Sequence, residues 1–136
     1  MKQRVTAVSV VVLAAAIVAL GFQGLYAQQP ALKRAVLQKQ DITAVQGREV
    51  VMAHVEIPAG VQSGKHTHPG EEIAYILEGS LVLEREGQPA VTLKAGDSFF
   101  VPAGLVHNGK NQGTGTAKVV STYVVEKGKP LATPVP

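Results

Sequence analysis

GVQSGKHTHPGEEIAYILEG, from Gly60 to Gly79, and GDSFFVPAGLVHNGKN, from Gly96 to Asn111, are the two stretches on which the fold turns. Together they hold three of the four histidines, His66, His68 and His107. In an extended strand, side chains two residues apart share a face, so His66 and His68 can present two imidazoles to one point while Thr67 turns away. Pro69 and Gly70 break that strand and turn the chain, which lets a carboxylate four residues past His68 return beside the imidazoles from a neighbouring strand. Glu72 stands there, with Glu71 beside it, and strand alternation sends one of the two inward and the other to solvent. His107 must arrive from further along the chain, and Val101-Pro-Ala-Gly104 is a tight turn able to aim it inward. Three neutral imidazoles and one carboxylate suit a divalent transition metal, and an octahedral ion would keep positions open for water or substrate. An open site suggests catalysis more than scaffolding.

A His-x-His pair alone is common by chance and is a weak signal. The full spacing is more specific. It runs Gly60, five residues, His66, one, His68, three, Glu72, six, Gly79, and then Gly96, five, Pro102, one, Gly104, two, His107, three, Asn111. Position for position these strings match the two motifs of the cupin superfamily, so the chain resembles a small single-domain bacterial cupin over residues 35 to 126. The spacer between the motifs, Ser80 to Ala95, is sixteen residues, near the short end for that family. The resemblance implies a metal inside one mouth of a barrel, held by His66, His68, Glu72 and His107, with motif spacing favouring Glu72 over Glu71. It points to Mn or Fe(II), although imidazole and carboxylate suit Zn, Ni or Cu as well. Asn111 closes the second motif and in the family is not a ligand, so a turn or supporting role is expected. His54 has no partner at ligand spacing and is expected to be an ordinary barrel or surface histidine.

Outside the motifs the pattern is that of short strands. Gln28 to Gln40 is polar enough to be a linker ending in a short strand near Val36 to Gln38. Arg48 to Ile57 has no helical period, with Val51, Ala53, Val55 and Ile57 on one face and Val50, Met52 and His54 on the other, both faces reading as largely shielded. Ile73 to Leu77, Leu81 to Arg85, Val91 to Leu93, Ser98 to Val101 and a long Lys118 to Val125 follow, with turn residues at the reversals. Asn108 to Thr116, with three glycines and two asparagines, is expected to be loop. The absence of any amphipathic helical segment after residue 40 indicates an all-β barrel or sandwich. The resemblance narrows that to the double-stranded β-helix, or jelly roll. Gly128 to Pro136, with three prolines, is expected to lie outside the sheets.

Met1 to Arg4 is basic, Val5 to Leu20 is an apolar run relieved by Thr6 and Ser9, and Gly21 to Ala27 is small and polar. This is the layout of an export signal cleaved after Ala27, which places the mature chain in the periplasm or outside the cell. An uncleaved inner-membrane anchor is the alternative, because the run lies between a signal core and a full span. The expected organisation is therefore a signal peptide or N-terminal anchor over 1–27, a linker over 28–35, the cupin barrel over 36–126 and a Pro-rich tail over 127–136. With no cysteine, thiolate ligands, disulfides and a lipoprotein anchor are all excluded. Of 13 basic residues, Lys2 and Arg4 leave with the signal, so 11 face 10 acidic ones and the mature charge is +1. Positive charge is scattered without interleaved aromatics, which argues against nucleic acid as a partner.

A core this small leaves strand edges that favour pairing with a second copy, and a homodimer is expected. The resemblance, nearest to quercetin-dioxygenase-like small cupins, implies a metal-dependent enzyme with dioxygenase-like chemistry on a small oxygenated ligand. Non-oxidative metal catalysis (decarboxylase, isomerase or lyase) and a non-catalytic periplasmic binding protein for a metal or metabolite are the alternatives, because one fold carries all three.

Overall fold

The computed structural model describes residues 31–136, so the expected signal or anchor segment and the first residues of the linker lie outside the described residues. Ten strands follow one another: β1 (Lys33–Asp41), β2 (Arg48–Ile57), β3 (His66–Thr67), β4 (Gly70–Glu78), β5 (Ser80–Arg85), β6 (Val91–Lys94), β7 (Ser98–Val101), β8 (His107–Lys110), β9 (Ala117–Glu126) and β10 (Thr133–Pro134). They form two five-stranded antiparallel sheets, ordered β1-β2-β9-β4-β7 and β10-β3-β8-β5-β6. The architecture is the double-stranded β-helix, or jelly roll.

Strict alternation builds the interior. In β9 every second side chain, from Ala117 to Val125, is buried, and in β2 the same holds for Val51, Ala53, Val55 and Ile57. These residues pack with Ala74, Ile76 and Leu81 into one core between the sheets. The other face of β2 is half-buried to exposed rather than shielded, with Met52 37 % exposed, so the first sheet turns one side to solvent.

Three segments differ from their sequence reading. β1 runs nine residues, well past Val36 to Gln38, and takes in the end of the stretch expected to be linker. As an edge strand it draws its backbone partners from β2 alone and leaves its side chains exposed, so no apolar alternation marks it. Asn108 to Lys110 is strand rather than loop, because a Cβ on Gly109 would sit 3.3 Å from the Leu81 side chain; smallness, not turning, is what that glycine supplies. The proline-rich tail rejoins the fold, Thr133 and Pro134 pairing with Thr67 and His66 at a sheet edge, where a missing N–H is tolerated. Gly70 likewise does not turn the chain. It opens β4 opposite Val125, and a Cβ there would overlap the Val124 carbonyl.

Candidate metal centre

His66 on β3 lies directly opposite His107 on β8, which is how a residue 41 positions downstream reaches the first motif. The turn after β7 ends at Gly104 with φ +72°, a conformation that L side chains rarely adopt, and the Gly104 N–H donates to the His68 carbonyl at 3.0 Å. His68 follows β3 and turns its ring to the same side as His66, with ring centroids 4.8 Å apart. The His66 and His107 rings are 4.2 Å apart, and those of His68 and His107 5.0 Å apart. One nitrogen from each of the three lies within 4.8 Å of the others, and all three residues are buried.

Glu72 comes from β4 in the opposite sheet, inward of Glu71 by the pleat, and is 5 % exposed. Its Oε2 lies 3.2 Å from His107 Nε2 and 3.3 Å from His68 Nε2. The structure therefore brings together all four residues singled out in the sequence. His54 stands apart on the outer side of β2, its Nδ1 3.9 Å from Glu56 Oε1. Asn111 is 2 % exposed and does not face the cluster; its Nδ2 donates to the Ile57 and Gly115 carbonyls, each at 2.7 Å, and its Oδ1 accepts from the Gly113 N–H.

The tautomers follow from the partners. His66 Nδ1 meets the Gly64 carbonyl at 2.8 Å, His68 Nδ1 the Leu131 carbonyl at 2.6 Å, and His107 Nδ1 the Leu105 carbonyl at 3.0 Å. A carbonyl oxygen only accepts, so each Nδ1 carries the proton and each Nε2 of a neutral ring keeps a lone pair. Two of those lone pairs then face the Glu72 oxygen with no proton between them, and buried His68 Nε2 has no hydrogen-bond partner. Such a cluster is satisfied by positive charge at its centre. Three imidazole nitrogens and one carboxylate, with their outer nitrogens fixed, fit a divalent metal.

Electrostatics at the site follow from burial. Burial pulls the His66 imidazole down to about 4, so it stays neutral and ready to coordinate at neutral pH. Burial raises the Glu72 carboxyl, and the His107 and His68 rings pull it down only when a positive charge, a proton or a metal ion, stands between their Nε2 atoms and the carboxylate. Burial, followed by the Glu72 charge, pushes the Tyr123 phenol up to about 12. An unfolded chain takes up a proton at His66 near 6.5 and the folded one only near 4, so stability falls as pH drops through that window. In chelator-treated protein the expected loss by pH 4 is roughly 3 kcal/mol, read as a falling urea midpoint. A midpoint flat between pH 6.5 and 4 would refute it.

Sequence reading missed three contributors. Ser121 and Tyr123 sit at inward positions of β9, and Tyr123 lies opposite Glu72 in register with its ring centroid 4.8 Å from that of His68. Two polar side chains at core positions of a valine-rich strand were the available signal. Leu131 left none, because it acts through its carbonyl. The cavity around the histidines measures about 40 Å³ and is walled by Val55, Ile57, Leu83, Phe99 and Val119.

A family model described as Cupin domain matches residues 53–123. The chain is 35 % identical over 89 residues to germin-like protein 1-1 of Oryza sativa subsp. japonica, covering 62 % of this chain and 41 % of that protein. It is 32 % identical over 83 residues to an oxalate-binding protein of Thermotoga maritima, covering 60 % of this chain and 68 % of the relative. It is 43 % identical over 53 residues to the dimethylsulfoniopropionate lyase DddQ of Ruegeria pomeroyi, covering 39 % and 26 %. The chain thus spans about two fifths of the germin-like relative or less of the other two plant germin-like proteins it resembles. Among solved structures, a cupin superfamily protein of Desulfitobacterium hafniense superposes with a TM-score of 0.60 at 20 % identity, covering 74 % of this chain and 83 % of the other.

Proposed function

This chain belongs to the cupin domain family, and on that footing we propose that it is a metal-dependent enzyme with dioxygenase-like chemistry on a small oxygenated molecule. The observation that carries the reading is the convergence of three buried imidazoles and the Glu72 carboxylate beside a cavity of about 40 Å³. His66, His68, His107 and Glu72 would hold the ion, with Mn or Fe proposed first. Bound there, a divalent ion supplies a Lewis acid that polarises a substrate oxygen and, for Mn or Fe, a redox partner for dioxygen. The chain's own residues do the rest. Apolar side chains form most of the walls, Tyr123 stays a neutral phenol at physiological pH, and Glu72 supplies a negative charge that partly balances the ion.

Turnover decides the reaction class. Metal-loaded protein offered small enediols and 2-oxo acids is expected to consume dioxygen in step with substrate. Equal turnover with and without air would move the assignment to non-oxidative catalysis, a reading supported by the similarity to a lyase. No turnover, with a ligand that still raises the melting temperature, would leave binding alone, the reading supported by the similarity to an oxalate-binding protein.

The run Val5 to Leu20 supports an exported protein, periplasmic or secreted, or one anchored by an uncleaved N-terminus. N-terminal sequencing of the protein from its host, starting at Gln28 or at Met1, separates these. A second copy is the proposed protein partner. Met52, Ile73, Tyr75 and Phe100 are exposed on the outer side of the first sheet, where Met52 and Ile73 flank Thr122 and Ile73 faces Phe100. Sedimentation at twice the chain mass is expected, falling to the single mass in Ile73→Glu; a monomeric wild type would end this reading.

A further inference from the structure

Building on the metal-site reading, we infer that the entrance to the cavity selects a small carboxylate anion and that Arg34 is the residue that receives its charge. An outer space of about 370 Å³ adjoins the cavity beside the histidines, and Leu32, Arg34, Ser63 and His66 line both. The charged side chains around that outer space are Arg34 and Lys65, and no acid is among its lining residues. Glu72, on the floor of the inner cavity, is the one acid in either.

Arg34 stands at the rim. It lies on β1 opposite Val55, so the pleat puts it on the cavity side of the strand, where it lines both spaces while staying exposed. Its guanidinium carbon stands 5.9 Å from the centre of the Tyr123 ring, and that ring in turn lies 4.8 Å from His68. Neither Arg34 nor Lys65 forms an ion pair among the described residues. Lys65 is one of the charges that lower the Glu84 carboxyl, but the Oε1 of that acid is already 2.8 Å from Lys110 Nζ.

A guanidinium resting on an aromatic face, without a counter-ion, at the way into a cation-seeking cluster gives the passage a positive potential. Its planar fork matches a carboxylate with two parallel hydrogen bonds, whereas a neutral ligand leaves it unpaired. Size narrows the class further. A cavity of about 40 Å³ has room for only a few water-sized groups, so the part of the ligand that passes the entrance is two or three heavy atoms long. The ligand class is a short acid with a second oxygen function close to its carboxylate.

Titration calorimetry on the protein as purified tests this, with malonate and its neutral isostere malonamide as probes and metal per chain counted for every variant. Malonate is expected to bind at least about ten-fold tighter than malonamide, as for loss of one charge-assisted bidentate contact. Arg34→Gln should abolish that preference with metal content unchanged, Arg34→Lys should keep part of it, and Lys65→Gln should weaken it less. Arg34 lies on an exposed edge strand, and an unaltered melting curve shows that the variants fold. Equal binding of malonate and malonamide, wild-type affinity in Arg34→Gln, or phosphate binding as tightly as malonate would each overturn the inference. A wild type without metal would sink the metal-site reading separately, since the charge preference is measured without turnover.

Discussion

Replacing His107 with alanine is expected to empty the site: elemental analysis should fall from close to one transition-metal ion per chain to a trace. His107 is one of three nitrogen donors, its Nδ1–H is already committed to the Leu105 carbonyl, and its Nε2 faces the Glu72 oxygen at 3.2 Å. Loss of residues that merely orient a ligand costs about ten- to a hundred-fold in metal affinity, and removal of a donor should exceed that. His66→Ala should behave the same way, whereas His54→Ala, on the outer side of β2, should leave metal content unchanged. Heat reads the same event. An ion present at about a hundred times its dissociation constant stabilises the fold by about 2.7 kcal/mol, so chelation should lower the wild-type midpoint by roughly 10 °C and leave His107→Ala unmoved. Equal loss of metal from His54→Ala, or a wild-type melting curve indifferent to chelator, would contradict this.

Asn111→Ala should be strongly destabilising although it lies away from the site. The asparagine is 2 % exposed and ties three separate segments: the end of β2 through the Ile57 carbonyl, the following loop through Gly113 and Gly115, and the stretch before β3 through main-chain bonds with Gly60 and Val61. Truncation leaves the Ile57 carbonyl without its partner in the interior, while the Gly115 carbonyl and the Gly113 N–H lie near enough to the surface to turn to water. A buried orphan costs about 1–3 kcal/mol, so a loss of roughly 2–3 kcal/mol is expected, a large share of what a domain of this size has. Asn111→Asp is the informative companion. It can still accept from Gly113 but cannot donate to Ile57 and Gly115, and should recover only a minor part of the loss. Urea unfolding measures both, and a change below about 1 kcal/mol for alanine would show that the network is not what holds this corner.

Fold and site were legible to different depths, for physical reasons. β2 and β9 alternate because each buries one face, and that pattern is written in their side chains. The histidines were legible because a shared centre demands fixed spacing along strands. β1 was read short because an edge strand with exposed side chains carries no hydrophobic code, and β10 was missed because two residues of Thr-Pro register only through their pairing with β3. Gly70 is expected to turn the chain and Gly109 to lie in a loop, whereas both serve close approach to another segment, Val124 in the first case and Leu81 in the second. Such closeness is a property of the partner. Main-chain carbonyls are the extreme case: nothing about leucine at 131 announces that its oxygen orients His68.

The opening to the cavity is framed by Leu32 and Arg34 at the start of the barrel and by Ala132, Pro134 and Val135 at its finish. Whatever is fused after the last three therefore hangs beside the doorway. A carrier protein or a solid support attached there would act as a shutter, and an attachment point on the far β6 edge would leave the way in clear.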